Sequence, residues 1–139
     1  MTAMTGLGLP GALPGAGASL RALDETTSVR VWLHVAATDM RCGFDRLAML
    51  AQTVLGQDPL SGHLFVFHNR RSDRLKILYW DRDGYVLWYK RLEEGVFKFP
   101  RVAKDASSLE LRSSELAMLL DGIDLSSVKR CKRYRRKPG

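Results

Sequence analysis

Between His63 and Leu92 three stretches alternate like strands, 63–69, 74–81 and 85–92, and the gaps between them are too short to hold a helix. Parallel neighbours need a crossover of about a dozen residues or more, whereas antiparallel neighbours need only a tight turn. Asp81-Arg82-Asp83-Gly84, between the second and third stretches, has the turn chemistry of a hairpin. This part of the chain is therefore expected to form an antiparallel meander.

The flanking sequence supplies helices. Val29, Val31, Leu33 and Val35 alternate with Arg30, Trp32 and His34, which predicts an earlier strand over 29–35. Phe44, Leu47, Ala48, Ala51, Val54 and Leu55 then recur at helical spacing, with Gly56 as a stop. A shorter strand is expected near 96–99. A second helix is expected from Ser113 as N-cap, with Leu116, Leu119, Leu120 and Ile123 on its apolar face and Asp121-Gly122 at its end. The fold class is α+β, a single domain in which an antiparallel sheet carries two packed helices.

Charge divides the chain. Seven basic residues, Lys129, Arg130, Lys132, Arg133, Arg135, Arg136 and Lys137, lie within 128–139 without a single acid. The remaining Lys and Arg balance all 15 Asp and Glu, so the net +7 belongs entirely to this tail. Such a block stays solvated and favours polyanions. Full engagement with duplex phosphates would give a salt slope of about −6. Residues 1–26, rich in Gly and small residues, read as a disordered extension; 27–127 reads as the folded domain and 128–139 as a basic disordered tail. No apolar run reaches the ~18 residues of a membrane span, and the N-terminus lacks the basic start of a secretory signal. Cys42 and Cys131 do not make a disulfide framework and fit a reducing compartment.

An even-length hairpin loop would place Arg74, Lys76, Leu78 and Trp80 beside Tyr85, Leu87, Tyr89 and Arg91 on one face. Leu75, Ile77, Tyr79, Val86, Trp88 and Lys90 would share the other, which reads as core. Cations interleaved with aromatics can stack bases and neutralise phosphates. The same pattern also arises from cross-strand aromatic pairs under a helix, with Lys and Arg stems lying along the apolar surface. Arg41, Arg70 and Arg71 are loop cations able to grip an anion or simply to stay solvated.

Other chemistry finds little support. Gly6-Leu7-Gly8-Leu9-Pro10-Gly11 matches a dinucleotide fingerprint only in letters: no strand precedes it and Pro10 removes an amide. His34, His63 and His68 have no metal-ligand spacing. Asp39, Asp45, Asp58, Asp73, Asp81 and Asp83 could in principle hold metal ions for a nuclease. Turn and helix-start roles account for Asp45, Asp58, Asp81 and Asp83. No nucleophile motif or Walker loop is present, and no cofactor is expected.

Several spaced stretches together resemble a known family. They are Arg30-Val31-Trp32-Leu33, Thr38-Asp39-Met40-Arg41-x-Gly43-Phe44-Asp45, and Asp58-Pro59-Leu60-Ser61-Gly62-His63-Leu64-Phe65-Val66-Phe67. To these are added Arg70-Arg71-x-Asp73-Arg74-x-Lys76-x-Leu78-x-Trp80-Asp81 with Gly84, then Lys90-Arg91-Leu92-Glu93-x-Gly95-x-Phe97, and Leu116 to Asp124. The chain resembles, over residues ~29–125, TnpB, the second-reading-frame product of insertion sequences of the sixty-six family. That resemblance implies a bacterial, cytoplasmic, nucleoid-associated protein encoded beside a separate DDE-type transposase and needed with it for transposition. It supplies no catalytic residue.

The combined reading is a non-enzymatic accessory protein whose partners are the element's transposase and DNA, with partly nonspecific contact to the element ends. The seven tail cations are the first candidates for DNA contact, and Arg74, Lys76, Trp80, Tyr89 and Arg91 the second. The alternatives are an adaptor that touches only the transposase, or a small metal-dependent nuclease.

Overall fold

The computed structural model describes residues 28–126. Its elements are β1 (Val31–His34), α1 (Phe44–Thr53), β2 (Leu64–His68), β3 (Arg74–Asp81), β4 (Gly84–Arg91), β5 (Ser108–Leu111) and α2 (Ser113–Leu120). The strands form one sheet in the order β4-β3-β2-β1-β5. The architecture is α+β, and the meander runs through β2, β3 and β4 as expected.

Two features modify the purely antiparallel picture. β1 pairs with β2 in parallel, Val31 beside Leu64 and Leu33 beside Val66. The segment between them contains the ten-residue α1 and is long enough to return the chain in the same direction. The expected strand near 96–99 is not one: Phe97 N–H makes a single bond to Ser72 O, at 2.7 Å, and Phe97 is buried. Its ring fills core space without a ladder. The fifth strand is instead β5, antiparallel to β1 and tied to it by Arg30, whose guanidinium forks onto Glu110 at 2.7 and 3.0 Å.

Alternation along the strands makes two cores, one on each face of the sheet. On the first face Phe65, Phe67 and Leu78 pack under Leu47, Ala48, Ala51 and Leu55 of α1 and its C-terminal turn. On the other, Val31, Leu33, Leu64, Val66, Leu75 and Ile77 pack with Leu116 and Leu119 of α2, and with Phe97 and Leu125. Each face thus has its own helix. Phe44, expected in the apolar stripe, is the first residue of α1 and 48% exposed, whereas Leu47, Ala48 and Ala51 of the same stripe are buried. Ile123 is likewise exposed, since α2 ends at Leu120 and Gly122 turns the chain with φ +88°. The cap of α2 is Arg112 rather than Ser113: Glu115 accepts the Arg112 N–H at 2.8 Å, half of a capping box.

Candidate nucleic-acid interface

The hairpin loop has two residues, with Asp81 opposite Gly84, so the even-loop parity holds. Arg74 stands opposite Arg91, Lys76 opposite Tyr89, Leu78 opposite Leu87 and Trp80 opposite Tyr85, all on the α1 face. α1 covers only the middle of that face, where Leu78 is buried. The eight residues therefore separate into three groups.

Near the turn, Trp80 and Tyr85 meet edge to face at 5.1 Å. Burial and the nearby Asp45 and Asp58 push the Tyr85 hydroxyl above its ordinary value. This aromatic pair matches the cross-strand reading.

Lys76 is 6% exposed. Its ammonium donates to Met40 O at 2.7 Å and Cys42 O at 2.8 Å, and lies 4.7 Å from the Tyr89 ring centre. Burial lowers its pKa. The side chain is occupied in fastening the β1–α1 connection to the sheet, so it is not displayed to a phosphate. Thr38 N–H bonds His68 O at 2.7 Å and holds the same connection from the other side. Asp39 closes it locally, accepting the Arg41 N–H at 2.8 Å and the Arg41 guanidinium at 2.7 Å; these bonds hold its carboxyl at about 2.

At the far end of the hairpin the face opens. Tyr89 is 47% exposed, and its hydroxyl accepts from Arg74 Nη1 at 3.1 Å. Arg91 pairs with Glu93 at 2.9 Å. Two like charges directly opposite, Arg74 and Arg91, are unfavourable in a sheet, and each has its own side-chain partner, Tyr89 for Arg74 and Glu93 for Arg91. The β2–β3 loop adds Arg70 and Arg71, both exposed. Neither they nor Arg74 has an ion-pair partner among the described residues. The loop is tied together by its own side chains: Asn69 donates to Asp73 at 2.6 Å, Arg74 N–H donates to Asn69 Oδ1 at 3.0 Å, and Ser72 takes φ 58°. The bond from Asn69 lowers the Asp73 pKa.

Together these pieces border an open cleft of about 490 Å³, lined by residues 37–40 on one side and by 69–71, Asp73 and Arg74 on the other. It lies at the carboxyl ends of the parallel strands β1 and β2, where ligands bind in many open α/β sheets. Two of the stretches that carry the family resemblance, 38–45 and 70–81, meet here. Among the described residues no three of His, Cys, Asp and Glu gather as metal ligands, and no helix is long and apolar enough to cross a membrane.

The tail candidates Lys129, Arg130, Lys132, Arg133, Arg135, Arg136 and Lys137 lie outside the described residues, as do positions 1–26 of the expected extension. The described residues end on the other face of the sheet, with Leu125 in the α2-side core. Leu125 N–H bonds Lys98 O, and the adjoining Phe97 bonds Ser72. Two such bonds and one peptide step put Leu125 no more than about 15 Å from Ser72. Arg70 and Arg71 were visible in the sequence only as loop cations. Nothing in their spacing shows that the 37–40 segment closes a cleft beside them.

Residues 29–130 match the family described as IS66 Orf2-like protein. Two relatives are uncharacterized proteins of Sinorhizobium fredii. One, y4hO, is 42% identical over 102 residues, covering 73% of this chain and 87% of the relative. The other, y4jC, is 39% identical over 108 residues, covering 78% of this chain and 91% of the relative. No solved structure matches.

Proposed function

The chain belongs to the IS66 Orf2-like family and is an insertion-sequence accessory protein, and on that premise we propose that it serves transposition by gripping the DNA backbone for a separate transposase. It performs no bond-breaking step itself. The carrying observation is the cluster of Arg70, Arg71 and Arg74 around an open cleft, without ion-pair partners among the described residues and joined on the same sheet end by Arg91. Guanidinium groups present forked donors suited to phosphate oxygens. The seven-cation tail adds charge of the same sign, so both basic parts can act on DNA. Exposed Tyr89 next to Arg74 adds a surface on which an unpaired base or a sugar can rest. Phosphate contacts position a protein without reading sequence, so end recognition is left to the transposase.

Fluorescence anisotropy across a salt series tests this reading, with the element's terminal repeat and a scrambled duplex as ligands. The full chain is compared with a variant carrying Gln at Arg70, Arg71 and Arg74, and with one carrying Gln at all seven tail cations. Each phosphate that is no longer neutralised should flatten the salt slope by about 0.9. The triple variant should therefore bind with a slope flatter by up to about 2.7, equally on both DNAs. An unchanged slope in the triple variant removes the folded domain from the interface. No binding by the full chain leaves the adaptor reading, in which the protein touches only the transposase.

A further inference from the structure

Three aromatic side chains share the α1 face of the hairpin, and the fold uses two of them. Trp80 and Tyr85 meet each other, and Tyr85 also packs against the α1-side core. Tyr89 is 47% exposed and makes no ring pair among the described residues. Its ring is nevertheless held in place. Arg74 Nη1 donates to the hydroxyl at 3.1 Å, and the buried Lys76 ammonium lies over the ring, 4.7 Å from its centre. Both cations also belong to the cleft: Arg74 lines it, and Lys76 bonds Met40 O of the opposite wall. The ring is thus anchored to both walls before a ligand arrives, so stacking on it orders no loose side chain. Lys76 takes one side of the ring, and a ligand meets the other.

We propose that the ligand of this cleft is an unpaired nucleotide of DNA, its phosphate on the arginines and its base stacked on Tyr89; this rests on the backbone-gripping reading above. The folded domain then prefers DNA carrying a single-stranded stretch to continuous duplex. Size supports this. A cleft of about 490 Å³ suits one small ligand, whereas a double helix, whose major groove alone is about 12 Å wide, can only lie across its mouth. Paired bases are also stacked on one another and closed to Tyr89, while an unpaired base presents its face to an aromatic ring. A guanidinium has several donors, so the bond to Tyr89 leaves Arg74 able to hold a phosphate beside the ring. The carboxylates of the site are engaged: Asp39 by Arg41, Asp73 by Asn69 and Glu93 by Arg91. Asp73 offsets part of the charge of Arg71 and Arg74, but it is one carboxylate against three arginines. Stacking accepts every base, so the preference is for unpaired structure and not for sequence.

Anisotropy on the full chain tests this with two labelled DNAs of equal phosphate number, a blunt duplex and a duplex with a single-stranded tail. Phosphates alone would favour the blunt duplex, whose charge density is higher. The tailed DNA should instead bind about fivefold tighter or more. Tyr89→Leu should abolish that preference and leave both the affinity for blunt duplex and its salt slope unchanged. Tyr89→Phe keeps the ring and should keep the preference. A 2-aminopurine in the tail should be quenched on binding by the parent chain and by Tyr89→Phe, and not by Tyr89→Leu. Far-UV circular dichroism checks that each variant is folded. Equal affinity for the two DNAs, or a preference that survives in Tyr89→Leu, overturns the proposal while the backbone grip stands on the slope of the arginine variant. A preference lost in Tyr89→Phe overturns the stacking role equally. A chain that binds neither DNA overturns both readings.

Discussion

Lys76 is the residue on which the two readings of the aromatic–basic face disagree most, so Lys76→Met is an informative perturbation. Met keeps the length of the stem and its packing while removing the ammonium. Two hydrogen bonds from a charged donor, to Met40 O and Cys42 O, would be removed. Each such bond contributes about 1.5–3 kcal/mol, and carbonyls left unpaired add to the cost. Against that stands the penalty of burying the ammonium, visible in its lowered pKa. A net loss of about 2–4 kcal/mol is expected, or roughly 10–25 °C in Tm for a domain of this size. Differential scanning calorimetry gives the stability. Anisotropy well below the variant's Tm gives the salt slope, which should not change, because the ammonium does not face solvent. A variant as stable as the parent but with a slope flatter by about 0.9 would refute the structural role and return Lys76 to the phosphate-binding set.

Further outcomes follow from the same geometry. His63 Nδ1 accepts the Arg30 N–H at 3.0 Å, which only the unprotonated nitrogen can do, and burial with Arg30 nearby lowers its pKa below 6.5. The folded state then holds fewer protons than the unfolded one, so this contribution is complete above pH 6.5 and is lost as pH falls through the folded pKa; His63→Asn, which keeps an acceptor, should flatten the Tm–pH curve there. Phe97→Ala, in the α2-side core, should cost about 3–5 kcal/mol in urea denaturation, although no ladder holds that segment. Asp73→Asn and Asp81→Asn should leave plasmid nicking in magnesium at the level of the full chain, both at background. Loss of a genuine nicking activity in either variant would instead establish the nuclease reading.

Legibility in the sequence followed the range of the interactions. The β2–β4 meander could be read from period-two alternation and one turn, because both are local, and parity alone placed eight side chains on their correct face. β5 was hidden because Ser108-Leu109-Glu110-Leu111 is too short to show a period. Its pairing is with β1, more than seventy residues away. Phe97 misled in the opposite sense: an aromatic alternation near 96–99 looks like a strand, but the residue serves as a core plug held by one bond to Ser72. The cleft was illegible for a related reason. It exists because Thr38 bonds His68 and Lys76 reaches Met40 and Cys42, contacts that join segments thirty or more residues apart.

Arg91 shares a face with Arg74, one of the cleft arginines, but its ion pair sets it apart from them. It already pairs with Glu93 at 2.9 Å, so less net field remains to attract a phosphate. Arg70, Arg71 and Arg74 have no ion-pair partner among the described residues. Single substitutions to Gln should therefore rank unequally in the anisotropy assay. Each of Arg70, Arg71 and Arg74 should flatten the salt slope by up to about 0.9, whereas Arg91→Gln should change it far less. If Arg91→Gln flattens the slope as much as the others, the Glu93 pair does not hold its charge back and Arg91 belongs with the DNA-binding arginines.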